Sequence, residues 1–217
     1  VSRAWQIPRS VADLQERRKL IEYTSIKTLG TFGRPPDLMP LIALGLLAHL
    51  PTFKRSKSDF AINNPDFAEN VERFYAHGKA VGLVGAEVLA DPQNDRSGPA
   101  GATAGLLRVV SQEAGGIRVS GAKSVGSLAA QGDEILFTNL SRPGMTAESS
   151  IWASLPVGTE GIKLVAREMV SNPGADPFDH PIGRLGEEAD QFIIFDNVFV
   201  PNDRVFNVGD PTLQQYY

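Results

Sequence analysis

Near residue 80 the chain changes from helical patterns to short β-forming runs, and this change most constrains its fold. Before residue 80, apolar residues recur every three or four positions, as in helices that bury one face. After it, short runs rich in Val, Ile and Phe are separated by Gly, Asp and Pro, with no helical pattern of useful length between them. The sequence therefore predicts an α+β chain, with a helical domain over 1–80 and a β-rich domain over 81–210.

Three helices are predicted in the first part, over residues 10–30, 37–50 and 66–78. Ser10 followed by Asp13 resembles a capping box, and Val11, Leu14 and Ile21 recur behind it at helical spacing. The Pro-rich stretch 33–37 breaks the pattern, and its last residue can cap the apolar run that follows.

Six strands are predicted in the second part, over 106–112, 116–120, 134–140, 151–157, 162–168 and 191–201. Residues 113–116, with the sequence EAGG, are a hairpin signal between the first two strands. Short strands at close spacing predict an antiparallel barrel or sandwich.

Composition excludes several classes of function. The 21 Lys and Arg against 25 Asp and Glu give a net charge of −4, which argues against binding nucleic acid or anionic membranes by charge alone. The absence of Cys excludes disulfides, cysteine-ligated metal clusters and a cysteine nucleophile, and favours a cytoplasmic protein. The three His are scattered, so no metal site is predicted. The apolar run 38–50 is too short to span a bilayer.

Two segments are dense in groups that could bind a ligand. Residues 91–97 (DPQNDRS) join helical to β-rich sequence, and residues 121–127 (GAKSVGS) offer backbone N–H groups and hydroxyls. On its own residues the first is more typical of a solvated turn, and the second is equally compatible with an ordinary connection between strands. The nucleotide-binding patterns GxGxxG and GxxxxGK[ST] and the hydrolase pattern GxSxG are absent.

Several phrases in order along the chain carry a family resemblance: SRAWQIPRSVADLQERR, GRPPD, FAENVERFY, DPQNDRS, VSGAKSVGS and DHPIGRLGEEADQFIIFDNVFVPNDRVF. Together they resemble the 4-hydroxyphenylacetate 3-hydroxylase family, which also contains pyoverdine-chromophore-type hydroxylases and 4-hydroxybutyryl-CoA dehydratase. The resemblance runs over essentially all 217 residues.

The resemblance implies an acyl-CoA-dehydrogenase-like subunit with an N-terminal helical domain, an antiparallel β-barrel domain and a C-terminal helical bundle. Residues 211–217 would begin the linker to that bundle, which these 217 residues do not include. The resemblance also implies a homotetramer in which the bundle completes the flavin site. Reduced FAD, supplied by a separate flavin reductase, would be used with O2 to hydroxylate a phenolic or other aromatic small molecule.

The resemblance also assigns roles to individual residues. The residues matching the flavin-contacting loop are Gln93, Asn94, Asp95 and Arg96. Ser127 stands where the family has a flavin-binding Thr, and a hydroxyl is retained. Arg34 matches the Arg of the substrate loop, where a guanidinium can orient a phenolate-like oxygen, although it could instead pair with Asp37.

Two positions depart from the phenol hydroxylases, which carry Tyr where this chain has Leu38 and His where it has Glu87. Glu87 could act as a base, bind a cationic substrate group, or form a salt bridge to Arg34 or Lys79. Two alternatives therefore stand beside the monooxygenase: a flavin-dependent acyl-CoA dehydrogenase or isomerase with Glu87 as base, and a non-catalytic member of the family. Without Cys, the iron–sulfur dehydratase reaction is excluded.

Overall fold

The computed structural model describes residues 2–30, 38–54, 58, 60, 66–93, 104–169, 174, 176–186 and 189–216. In this part of the chain four α-helices precede eight β-strands. The helices are α1 (Val11–Lys27), α2 (Leu38–Ala48), α3 (Leu50–Phe53) and α4 (Phe67–Val81). The strands are β1 (Gly85–Val88), β2 (Arg108–Glu113), β3 (Gly116–Lys123), β4 (Glu134–Thr138), β5 (Ile151–Pro156), β6 (Ile162–Ala166), β7 (Gln191–Pro201) and β8 (Val205–Val208).

The first helix starts with the predicted capping pattern. The Ser10 hydroxyl accepts the N–H of Asp13 at 3.2 Å, and the Asp13 carboxylate accepts the N–H of Arg9 at 2.8 Å. The second of these bonds is the main reason why the pKa of Asp13 is lowered. The helix is therefore confirmed, but Val11 and Leu14 are exposed because α1 packs mainly against the short helical turn Arg3–Trp5.

The predicted helix over 37–50 is interrupted at His49, so that α2 is followed by the short α3. Pro51 lies in the first turn of α3, where the backbone N–H that proline lacks would have no partner within the helix. The cap expected at Asp37 lies outside the described residues.

The helix predicted over 66–78 is confirmed as α4. The Asp66 side chain accepts the N–H of Glu69 at 3.0 Å and caps its start. The helix continues past Gly78 and ends at Gly82, which adopts a left-handed conformation with φ of 71°.

The strands form two four-stranded sheets, with orders β1-β4-β5-β8 and β2-β3-β7-β6. All six predicted strands are present, and the predicted hairpin joins β2 to β3 through Gly115, which has a φ of 85°. Except for β1 and β4, which run parallel, the paired strands are antiparallel.

The prediction of an antiparallel barrel or sandwich is only partly confirmed: the strands form two sheets, and a closed barrel is not observed in the described part of the chain. Within the described residues no pair of these strands joins the two sheets, and the β1–β4 pair is parallel. A parallel pair needs a long crossover connection, and here the chain passes through the β2–β3 hairpin of the other sheet between β1 and β4. Both unpredicted strands, β1 and β8, are only four residues long, too short to show an alternating pattern.

Aromatic contacts join the helices to the first sheet and the first sheet to the second. Phe74 of α4 lies 5.1 Å from Phe206 of β8 between ring centroids. The ring centroids of Phe137 in β4 and Phe195 in β7 are 4.9 Å apart. The buried apolar core therefore runs from α4 through both sheets. None of the helices described is long and apolar enough to cross a membrane.

Two glycines within helices are expected to respond oppositely to alanine. A Cβ at Gly78 would overlap the ring of Trp5, whereas a Cβ at Gly45 would meet no atom within 4 Å. We expect Gly78→Ala to lower the free energy of unfolding by about 1–3 kcal/mol through overpacking. Gly45→Ala should raise it by about 0.5–1 kcal/mol, because alanine favours the helix. Urea denaturation measures both, and a Gly78→Ala variant as stable as wild type would contradict the close packing on Trp5.

Candidate functional site

Ser127 lies in the loop after β3 and is only 5% exposed. Its hydroxyl donates to Asp190 Oδ1 at 2.5 Å, and Arg167 Nε lies 3.4 Å from Asp190 Oδ2. A hydroxyl has one proton and a carboxylate can only accept, so Ser127 keeps acceptor lone pairs for a further partner. This hydroxyl is suited to a ligand that presents an N–H or O–H group.

The start of β7 holds the Ser127 loop in place. The N–H of Gly126 donates to the carbonyl of Gln191 at 2.8 Å, and the N–H of Leu128 donates to the carbonyl of Ala189 at 3.0 Å. The side chain of Gln191 accepts the N–H of Ala130 at 3.2 Å through Oε1. Among the described residues, its Nε2 is buried without a hydrogen-bond partner. A buried amide donor of this kind calls for a ligand or a water molecule as its partner.

The Ser127 loop approaches β1 closely. A Cβ on Gly126 would overlap Ile193 and lie 3.0 Å from Val88 Cγ1, so glycine is needed for this contact. The loop therefore packs over the Val88 side of β1.

Glu87, the predicted substrate-side carboxylate, is buried in β1 with 7% exposure. Successive side chains of a strand point to opposite faces, so Glu87 and its neighbour Val88 face different sides of the sheet. Since Val88 faces the Ser127 loop, the structure does not bring Glu87 and Ser127 together on one face.

Gln93 ends the described segment that follows β1, and it is exposed. The other residues predicted to bind the cofactor or substrate, Asn94, Asp95, Arg96 and Arg34, lie outside the described residues. Their roles stay predictions.

A buried lysine connects the two predicted cofactor-binding segments. Lys123, the last residue of β3, is 0% exposed and donates to Leu89 O at 2.9 Å, Asp91 Oδ1 at 2.8 Å and Asn139 Oδ1 at 2.5 Å. Arg142 Nη1 lies 3.0 Å from Asp91 Oδ2. Burial lowers the pKa of Lys123 to about 8, against the opposing effect of Asp91. From the sequence, Lys123 was only one member of the segment 121–127.

A second buried charge, Glu134 at the start of β4, was not predicted. Its carboxylate accepts from Ser154 Oγ at 2.7 Å and from Arg204 Nη1 at 2.7 Å, with His77 Nε2 at 3.9 Å. These contacts join α4, β4, β5 and the turn before β8. A strand that begins with Glu and continues with apolar residues gives no signal of such a partner. The cluster links α4 to the sheet that contains β4 and β5, and both carboxylate oxygens are used within the protein.

A cavity of about 940 Å³ lies along the second half of β7, the half further from the Ser127 loop. Its walls include Glu113, Arg118, Asp196, Phe199 and Arg204. Its lining residues on β7 begin at Asp196, five residues and roughly 16 Å from Gln191, since a strand rises about 3.3 Å per residue. Arg118 in this cavity already binds Glu113 and the carbonyl of Asn197, so its guanidinium is engaged within the protein.

Comparison with known proteins shows the family. The protein-family model described as 4-hydroxyphenylacetate 3-hydroxylase N terminal matches residues 1–207. The FADH(2)-dependent monooxygenase TftD of Burkholderia cepacia is 34% identical, over 100% of this chain and 42% of its own length. The oxygenase component of 4-nitrophenol 4-monooxygenase/4-nitrocatechol 2-monooxygenase from Rhodococcus opacus is 31% identical, over 98% of this chain and 41% of its own.

The fold of a solved relative agrees. A crystal structure of the oxygenase component of 4-hydroxyphenylacetate 3-monooxygenase complexed with FAD superimposes with a TM-score of 0.85 at 30% identity. The match covers 99% of this chain and 43% of that one. The chain therefore belongs to the 4-hydroxyphenylacetate 3-hydroxylase family, and it spans about two-fifths of the length of these relatives.

Proposed function

We propose that this chain is part of the oxygenase component of a two-component, FAD-dependent monooxygenase that hydroxylates a phenolic or other aromatic small molecule with O2. The observation that carries the proposal is the family match over residues 1–207. Relatives named as an FADH(2)-dependent monooxygenase and as an oxygenase component support it. A separate flavin reductase, a homotetrameric assembly and a cytoplasmic location belong to the same proposal.

The residues around Ser127 fit a flavin. An isoalloxazine ring presents both N–H donors and carbonyl acceptors at its edge. Ser127 offers an acceptor lone pair, and Gln191 Nε2, unpaired within the described part of the chain, is a donor in the same loop-and-strand unit. The exposed Gln93 amide can supply both kinds of group. The site thus matches a neutral, hydrogen-bonding ring system.

When bound, reduced FAD supplies the electrons with which O2 is activated and one oxygen atom is transferred to the aromatic ring. The protein's part is to orient the cofactor and to limit access of water. Ser127, fixed by Asp190, would orient the ring edge, and Gln93, Asn94, Asp95 and Arg96 would hold the cofactor from the other segment. Arg34 would orient the oxygen of a phenolate-like substrate.

The domain organisation forms a further part of the proposal. Residues 1–80 and 81–210 would be the two leading domains of an acyl-CoA-dehydrogenase-like subunit, with residues 211–217 leading towards a C-terminal helical bundle. Glu87 stands where the phenol hydroxylases have His, so the enzyme would accept an aromatic substrate whose polar groups differ from those of 4-hydroxyphenylacetate.

The proposal is tested on the complete native polypeptide by anaerobic titration with FAD reduced in advance. Saturable binding is expected, followed by formation of a hydroxylated product when O2 and a panel of phenols are added. Chemically reduced FAD removes the need to identify the reductase. Failure to bind reduced FAD, or turnover of an acyl-CoA thioester without O2, would contradict the monooxygenase assignment.

The Ser127→Ala variant is expected to bind reduced FAD about tenfold more weakly, since one buried hydrogen bond contributes roughly 1–1.5 kcal/mol. Quenching of protein fluorescence during anaerobic titration measures the dissociation constant. The matched control is Ser111→Ala, an exposed change on β2, which should leave the constant unchanged. Equal affinity of the Ser127→Ala variant and wild type would remove Ser127 from the site.

A further inference from the structure

Two segments assigned to cofactor binding meet at one buried ammonium group. Lys123 stands at the end of β3, four residues before Ser127. Its three N–H donors reach the carbonyl of Leu89, the carboxylate of Asp91 and the side-chain oxygen of Asn139. Each donor has one acceptor, so the ammonium is fully satisfied and its position is fixed.

The acceptors belong to separate parts of the chain. Leu89 and Asp91 follow β1 and lead directly to Gln93, whereas Asn139 follows β4. The Asn139 amide in turn donates to the carbonyls of Leu107 at 2.8 Å and Ser149 at 2.7 Å. The N–H of Ser124 also donates to the carbonyl of Ala90 at 2.9 Å, which continues the link between the two segments. Lys123 is thus a junction between residues 89–93 and the loop that carries Ser127.

Stability alone does not explain a charged group at this position. Taking an ammonium out of water costs several kcal/mol, and well-packed apolar residues often replace buried ion pairs without loss of stability. The ammonium instead fixes the local geometry, because its three acceptors must lie at defined positions around it. A fixed arrangement matters most where two segments must bind one ligand.

We propose that Lys123 is a positioning residue for the cofactor, whose ammonium holds residues 89–93 in register with the Ser127 loop. The inference rests on the proposed FAD-binding function. Lys123 is buried and acts through Asp91 and the backbone of Leu89 rather than by touching the ligand.

The charge state of Lys123 gives the proposal a measurable signature. Among the described residues, the charged groups that act on it are Asp91, after β1, and Arg142, after β4; its partner in β7, Ile193, carries no charge. With its pKa lowered to about 8 by burial, Lys123 loses its proton within an accessible pH range. A neutral amine has two donors for the three acceptors, so the junction loosens as the pH rises through this value.

The test is the dissociation constant of reduced and oxidised FAD at pH 7 and pH 9, measured on the complete native polypeptide and its variants. Wild type is expected to bind reduced FAD about tenfold more weakly at pH 9. Lys123→Met should bind about tenfold more weakly already at pH 7, and its affinity should change between pH 7 and pH 9 no more than that of Lys123→Arg. Lys123→Arg should restore binding at pH 7 and keep it at pH 9, because a guanidinium stays protonated. Ionisation of the cofactor itself affects wild type and Lys123→Arg equally. The difference between their pH profiles therefore reports the titration of Lys123.

A second variant keeps the test decisive if the arginine does not fit the buried position. Asp91→Asn removes the group that favours the ammonium, so the fall in affinity should shift to lower pH than in wild type. The matched control is Lys163→Met, which removes an exposed lysine paired with Asp196 and should not alter either profile.

The outcomes separate the two proposals. If wild type binds no FAD at any pH, the proposed function fails and the inference fails with it. If wild type binds FAD but folded Lys123→Met, checked by circular dichroism, keeps the same affinity and pH profile, only the inference is overturned. An unshifted profile in Asp91→Asn would also overturn it.

Discussion

A Phe137→Ala variant is expected to lose about 3–5 kcal/mol of unfolding free energy, because a large and fully buried ring is removed from the core. Phe137 is 0% exposed and its ring lies 4.9 Å from that of Phe195. The two residues belong to different sheets, so truncation removes a contact that holds the sheets together as well as leaving a cavity. The sheet of Phe137 includes β1, and that of Phe195 includes the strands that hold the Ser127 loop.

Urea denaturation followed by circular dichroism measures this loss. The matched control is Phe178→Ala, because Phe178 is 90% exposed and its truncation should change stability by less than about 0.5 kcal/mol. A loss at Phe137 no larger than at Phe178 would show that the two sheets do not share this core contact.

Stability is expected to rise with pH between about 8 and 10.5 through the titration of Lys123. Burial lowers the pKa of this group below its unfolded value of 10.5, so the folded state releases the proton first. Between the two values the unfolded chain binds a proton that the folded chain lacks, and the free energy of unfolding therefore increases. The full difference corresponds to about 3 kcal/mol, reached above pH 10.5 and absent below pH 8.

Other lysines and the tyrosines also titrate in this range, so the effect of Lys123 is isolated as a difference. Urea melts of wild type and Lys123→Met at pH 7, 9 and 10.5 should diverge by that amount, because methionine carries no titrating group. Parallel curves for the two proteins would show that the Lys123 pKa is not lowered by burial. As the pH rises, stability is thus expected to increase and cofactor affinity to decrease. Stability increases because a buried charge is lost, whereas affinity decreases because the ammonium no longer holds Asp91 in place.

Local signals predicted the helices well because capping depends on neighbouring residues. Ser10 caps α1 as the sequence indicated, and Asp66, where the third helix was predicted to start, caps α4. The exposure of Val11 and Leu14 was not predictable, because helical spacing shows that a face exists but not whether another element covers it.

The sheets were predicted less completely. Strands β2 to β7 have runs of five residues or more with β-forming side chains, but the four-residue β1 and β8 do not. Strand pairing is a long-range choice, and the parallel partner of β1 lies beyond the whole β2–β3 hairpin. With that pairing the described strands form two sheets, so the closed antiparallel barrel, one of the two predicted forms, is not observed among them.

For the site, the sequence alone, through its family resemblance, pointed to Ser127, Gln93 and the segments that carry them, and the absence of Cys leaves these 217 residues without a thiol. The tertiary structure alone decided what surrounds them: it set Asp190 against Ser127, placed Glu87 on the other face of β1, and made Lys123 the junction of two segments. The physical reason is that motifs and caps are fixed by residues close in sequence. By contrast, the elements that bury a side chain, and the partners that compensate a buried charge, lie far apart in the chain. Their positions are defined only when the strands have paired.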